Sequence, residues 1–186
     1  MYRDKTLKQY LDDLAAKVPA PGGGSAAALT AGLGASLISM VVNFTLGKPQ
    51  YARFEEELKE ILFKSEDLRS KFLDLVDLDV SAYKSKNIKA ALDIPFKVCR
   101  LCVEAIKLCP PLIKKGNIRL ISDVSVAACL LESAFASACY NVEINLGTLN
   151  DKSLTTPMRK ELTKMARWVN KIRQDTEVKV GKIIRG

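Results

Sequence analysis

From Ser25 to Leu46 the chain carries no charged side chain over roughly 22 residues, a length that as a helix could cross a bilayer. The content of the run argues against that. Ala, Gly, Ser and Thr dominate it rather than Leu, Ile and Phe, Asn43 sits inside it, and no second comparable stretch and no aromatic belt accompany it. A helix that is apolar on every side and does not face lipid is covered on every side by protein. Gly24, Ala28, Gly32 and Ser36 recur every fourth position, so one face is a shallow groove where another backbone can approach closely.

The rest of the chain supplies helices to cover it. Thr6 with Gln9 three residues later is a capping-box spacing, and Leu7, Tyr10, Leu11, Leu14 and Val18 follow at helical intervals until Pro19 and Pro21. A long amphipathic helix is predicted from about Tyr51 to Tyr83, with Phe54, Leu58, Ile61, Leu62, Leu68, Phe72, Leu75 and Val76 as its apolar stripe. Another covers about Ile94 to Leu108 and stops before Pro110 and Pro111. Ser122 and Asp123 open a mostly apolar helix from Val124 to about Leu146. Thr156–Pro157 starts the last one, on which Met158, Leu162, Met165, Val169 and Ile172 alternate in steps of four and three like a coiled-coil seam. No alternating strand, hairpin turn or long-period repeat appears, so the fold class is all-α: one helical bundle spanning residues 1–186, with a buried Gly/Ala-rich helix and a long C-terminal helix.

Composition narrows the chemistry. The chain has no His, which removes Ser-His and Cys-His nucleophile pairs and histidine metal sites, and leaves acid–base work to Asp, Glu, Lys, Tyr or Cys. The net charge of +8 favours an acidic partner such as nucleic acid, anionic lipid or a polyanionic small molecule. Five cysteines and the lack of a leader-like segment at the start suggest a reduced, cytoplasmic protein. Cys99 and Cys102 form a C-x-x-C, read here as buried small side chains, with no metal site expected.

Three places could hold chemistry. Pro21, Gly22, Gly23, Gly24 and Ser25 stand at the mouth of the uncharged helix, where glycine backbone and helix dipole suit a carboxylate or phosphate; a tight turn for helix crossing is the competing reading. Asp77 and Asp79 lie two residues apart on a helix, so at most one faces a given cavity, and Val76, Leu78 and Val80 between them offer surroundings that raise a carboxyl pKa. The third is Asn117 to Asp123, with Lys114, Lys115 and Arg119 nearby, together with Asn141 and Asn145, four apart on an apolar helix and in need of buried partners.

The runs PAPGGGSAAALTAGLGASLISMV, LVDLDVSAY, IPFKV and GNIRLISDVSVAACLLESAFASACYNVEINL resemble, in this order and across essentially the whole chain, the cyclodeaminase/cyclohydrolase family. That family comprises the C-terminal domain of formiminotransferase-cyclodeaminase and stand-alone methenyltetrahydrofolate cyclohydrolases. The resemblance implies an all-helical domain that forms a homodimer and binds tetrahydrofolate derivatives near the subunit interface, without metal or redox cofactor. It also implies an acid–base aspartate, placed on Asp79. Taken together, these readings nominate Pro21, Gly22, Gly23, Gly24, Ser25, Asn43, Asn117, Ser122, Asp123 and Asn141 as substrate-binding. One departure concerns the connection from Lys84 to Ile94, which is shorter than the loop usual in the family.

The expected activity is therefore that of a folate one-carbon enzyme acting on the N5/N10 bridge, by hydrolysis of the methenyl form or by deamination of the formimino form. The lack of a transferase domain leans toward hydrolysis. The positive charge fits the glutamate tail of folate, whether single or polyglutamylated. The alternative is a non-catalytic basic helical module that binds nucleic acid; against it, no nucleic-acid motif is present and the basic residues are spread among acids.

Overall fold

A computed structural model describes residues 1–85, 88–149 and 151–186, and among them every regular element is helical. The helices are α1 (Leu7–Ala15), α2 (Gly23–Asn43), α3 (Glu55–Ser85), α4 (Ile88–Ile106), α5 (Cys109–Lys115), α6 (Ile121–Gly147) and α7 (Lys152–Arg185). The uncharged α2 is sandwiched between α3 and α6, while α4 and α7 close the bundle around α6. Ala28, Ala31, Ala35, Ile38, Val41 and Val42 are fully buried along α2. Its small residues set the spacing: a Cβ on Gly34 would come within 2.8 Å of Leu131 Cγ on α6, and one on Gly32 would touch Phe72 Cβ on α3 at 3.6 Å.

A second helix, α6 with the turn preceding it (Ile118–Gly147), is also long and apolar enough to span a membrane, which corrects the expectation that α2 had no counterpart. The two run antiparallel against each other, so each covers the other's apolar side; Gly23 lies by Asn141 at one end, and Thr45 accepts the Asn117 N–H at the other. The small-residue groove of α2 and the α7 seam are both used within the chain. Gly24 and Gly32 face α3, while Leu162 and Val169 are buried against the rest of the bundle.

α4 stops before Pro110 and Pro111 as expected, while α4, α6 and α7 each begin earlier than expected. Pro110 and Pro111 occupy the first turn of α5 instead of merely ending α4, because the first N–H groups of a helix have no intrahelical acceptor to lose. Asp151 caps α7 by accepting from the N–H groups of Ser153 and Leu154 at 2.9 and 3.3 Å, so that helix begins before Thr156 and carries Pro157 within it. Ser122 and Asp123 lie inside the first turn of α6, after Leu120 at the cap position. α4 begins at Ile88, not Ile94, and contains Pro95.

Pro95 has no N–H to give the carbonyl of Ala91 four residues back. Asn145 of α6 supplies the missing donor, its Nδ2 lying 2.6 Å from Ala91 O. Asn145→Leu is expected to cost about 1 kcal/mol in urea unfolding, since the carbonyl then lacks a partner. In the Pro95→Ala background the same change should cost much less, because the backbone N–H is restored; equal losses in both backgrounds would show that the amide does something else.

Candidate active site

α2 opens on Gly22, which has no side chain to cap it, so its first-turn N–H groups take acceptors from elsewhere. The Ser25 N–H faces the carboxylate of Asp79 on α3 and acts to lower its pKa. This approach depends on a missing side chain: a Cβ on Gly24 would lie 2.8 Å from Asp79 Cγ and collide with Oδ1. Ser25 fastens the joint from its other side, its buried Oγ donating to the Val76 carbonyl at 3.1 Å and accepting the Tyr10 hydroxyl at 3.1 Å. The glycine run thus serves as a close helix crossing and also presents helix N–H groups to a carboxylate.

Asp79 is half-buried at the wall of a cavity of about 260 Å³. Around it stand Gly22, Gly23 and Gly24, Tyr83 one helical turn further along α3, Ala91 of α4, and Asn141 and Ile144 of α6. Burial pushes the Asp79 carboxyl above the ordinary aspartate range, and the Ser25 N–H only partly opposes it. Tyr10, beneath the crossing, is also pushed up by burial. Asn141 donates through Nδ2 to the Ser137 carbonyl at 2.9 Å, and its side-chain amide lies 3.5 Å from the position a Cβ on Gly23 would take. A carboxyl that holds its proton more readily than usual, facing an amide across a small cavity, is equipped to pass a proton to or from a nitrogen or a water.

Asp77 stands elsewhere. It is buried, and its carboxylate accepts the backbone N–H groups of Tyr2 and Arg3 at 2.6 and 3.3 Å, which ties the start of the chain to α3.

Of the other nominated residues, Pro21 is buried beside the cavity and follows a cis Ala20–Pro21 peptide. Asn43, Asn117, Ser122 and Asp123 lie at the opposite end of the α2/α6 pair, about 30 Å along the helix axes from Gly23 and Asn141. Asn117 is fully engaged there: its Nδ2 donates to Phe44 O at 3.2 Å and its Oδ1 accepts from Arg119 N at 3.1 Å. Lys115 pairs with Glu57. The expected connection from Lys84 to Ile94 is taken up by helix at both ends: α3 runs through Ser85, α4 begins at Ile88, and positions 86 and 87 lie outside the described residues. Sequence reasoning missed Tyr83, although its place four residues after Asp79 was a usable signal, and also Ala91 and Ile144, which carried none. Cys99 and Cys102 are buried, with Cys139 Sγ 3.8 Å from Cys99 Sγ, and burial pushes the Cys102 thiol up.

A methenyltetrahydrofolate cyclohydrolase from Methylorubrum extorquens is 36% identical over 185 residues, covering 87% of this chain and 89% of that protein. The formimidoyltransferase-cyclodeaminase of Rattus norvegicus is 28% identical over 171 residues, covering 80% of this chain but only 32% of the rat protein. The crystal structure of a formiminotetrahydrofolate cyclodeaminase from Thermotoga maritima superposes with a TM-score of 0.94 at 27% identity, covering 99% of this chain and 100% of that one. The formiminotransferase-cyclodeaminase family matches residues 6–86 and 84–164. With that span and those relatives, this chain belongs to the formiminotransferase-cyclodeaminase family.

Proposed function

We propose that the protein is a folate one-carbon enzyme that opens or closes the ring bridging N5 and N10 of tetrahydrofolate, with hydrolysis of the methenyl form as its main reaction. The observation that carries this reading is the Asp79 carboxyl, held against the α2 N-terminus inside a cavity and pushed above the usual aspartate range by burial. In hydrolysis, water adds to the methenyl carbon while Asp79 takes its proton. The N5–carbon bond of the adduct then breaks, leaving the formyl group on N10, with one proton released overall. In deamination, N10 adds to the carbon of the protonated formimino group, Asp79 carries the N10 proton to the resulting amino group, and ammonia leaves with its bonding pair to give the methenyl cation. Neither reaction changes an oxidation state, and the one-carbon unit is already electrophilic, so neither calls for a redox cofactor. The Methylorubrum cyclohydrolase shares more sequence with this chain than the Thermotoga cyclodeaminase does, 36% against 27%, which favours hydrolysis. Following the loss of methenyl absorbance and the release of ammonia with the two substrates tests the choice; ammonia release at the faster rate would reverse it.

A homodimer is part of this reading, formed through the outward faces of α2 and α6. The outward face of α2 presents Ala26, Thr30, Leu33, Leu37, Met40 and then Phe44, in steps of four and three, with no charge. Beside it α6 presents Val126, Ser133, Ser137, Tyr140 and Ile144. Leu33 is 52% exposed, Tyr140 80% and Ile144 72%, a contiguous apolar surface of the kind that protein partners cover. The cavity of about 260 Å³ opens beside this face and is below the range of roughly 300–1,000 Å³ common for ligand pockets, so the bulk of a folate needs a second wall. An antiparallel two-fold pairing would lay the Ser122–Asp123 end of one copy over the Asp79 cavity of the other, giving the distant nominated residues a place at the substrate. Leu33→Asp is expected to turn a dimer into a monomer in sedimentation velocity and to lower turnover at least about tenfold. A dimer that survives the change disproves this interface. Three fully buried free thiols, those of Cys99, Cys102 and Cys109, fit the reducing cytoplasm proposed as its location.

A further inference from the structure

Helix α7 carries ten Lys and Arg against three Asp and Glu, so one element holds +7 of the chain's net +8. Four of these cations, Lys160, Lys164, Arg167 and Lys171, follow at intervals of four, three and four, which sets them on one side of the helix over about 16 Å. All four are exposed, and none has an ion-pair partner among the described residues. They border a trough between α4 and α7 of about 1150 Å³, more than four times the Asp79 cavity. Its floor is apolar, made by Val103 of α4 with Pro157, Met165 and Trp168 of α7. Lys107 lies over the Trp168 ring at 4.8 Å and adds a fifth positive charge at the floor.

We propose that this trough is a docking site for an acidic amphipathic helix of a protein partner. The shape calls for an apolar face about three turns long, with anchors spaced as on a helix laid into a groove. The charge calls for carboxylates along one flank, at the spacing of the four unpaired cations. A nucleic acid backbone would meet the cations but leave the apolar floor uncovered, whereas an amphipathic helix satisfies both. Such pairing also steers encounter, since unpaired surface cations act over roughly a Debye length of 8 Å at physiological salt. The inference is independent of the folate reading, because no residue of the trough lines the Asp79 cavity.

Trp168 is the sole tryptophan of the chain, so its emission reports on the trough directly. The probe is a synthetic helical peptide with Leu at positions one, four, eight and eleven and Glu along one flank, compared with a scrambled peptide of the same composition, poly-glutamate and a DNA duplex. The expected result is a saturable change of Trp168 emission with the helical peptide at micromolar concentration, weakening as salt rises. The Lys164→Glu, Arg167→Glu double variant should raise the dissociation constant at least tenfold while turnover on methenyltetrahydrofolate stays unchanged. An equal response to the scrambled peptide or poly-glutamate would mean that charge alone is recognised, and tighter binding of the duplex would mean a nucleic-acid surface; either overturns the proposal. So would Trp168 emission that changes on dilution of the protein alone, which would identify a second copy as the occupant.

Discussion

Asp79→Asn is expected to lower turnover by about a hundredfold or more while folate affinity changes little, because the amide keeps the shape of the carboxyl but cannot carry the proton. The same variant should be more stable than the parent at neutral pH. Burial raises the Asp79 pKa in the folded state, so folding is favoured by this group below the ordinary aspartate range near 3.9, and that contribution is lost as pH rises through the raised value. An amide never ionises and never incurs that loss. Thermal melts across pH 4–8 should therefore start close together at the acid end and separate in favour of Asp79→Asn above the ordinary aspartate range. For the same reason the acid limb of the rate profile should lie above the usual carboxylate range. Asp77→Asn is the internal comparison: its carboxylate holds the N–H groups of Tyr2 and Arg3, so its loss should lower stability with a smaller effect on turnover. Near-normal turnover by Asp79→Asn with both substrates would refute the assigned role.

The second large effect is expected from one methyl group. Gly24→Ala places a Cβ in collision with Asp79 Oδ1, and the helix crossing held by Ser25 leaves the backbone little room to retreat, so the carboxyl has to swing away. Displacing a catalytic group by about 1 Å can cost on the order of a hundredfold in rate, and that is the size expected here. Gly23→Ala one residue earlier meets only the Asn141 amide at 3.5 Å, an ordinary contact, and should keep most of the activity. Rates of the two variants beside their circular dichroism spectra separate a misplaced acid from a failed fold. Equal activity of both would mean that Asp79 tolerates the shift and is not held to a narrow geometry.

What the sequence could convey followed the range of the forces involved. The Thr6 cap was legible because its hydroxyl answers a backbone N–H three residues away, and the Gln9 N–H does donate to it at 3.1 Å. The stripe from Phe54 to Val76 was legible because helical periodicity repeats its signal many times. Proline was a true stop signal before 110 and 111 but misleading at 157, since whether its lost hydrogen bond matters depends on another segment or on its place in the first turn. Asn145 repairs the gap left by Pro95 from a helix fifty residues away, and no local pattern announces that. Asp77 and Asp79 looked alike for a similar reason. Their difference lies in the amides of Tyr2 and Arg3 on one side and the absent side chain of Gly24 on the other, both remote in sequence. Small-residue and heptad patterns correctly reported close packing but not against what, and the bundle used both for itself.

Tyr10 is the buried residue of the nine-residue α1, and its hydroxyl rests on Ser25, the same residue whose N–H meets Asp79. A short helix held by so little buried surface belongs to the low-energy end of local opening, where backbone amides exchange with solvent well before global unfolding. Each such opening withdraws the Tyr10 ring from beneath the crossing and admits water toward the carboxyl, which relaxes the burial that keeps its pKa high. The proton affinity of the acid is thereby tied to the closing equilibrium of a peripheral helix, and amide exchange in α1 should quicken or slow together with shifts in the acid limb of the rate profile.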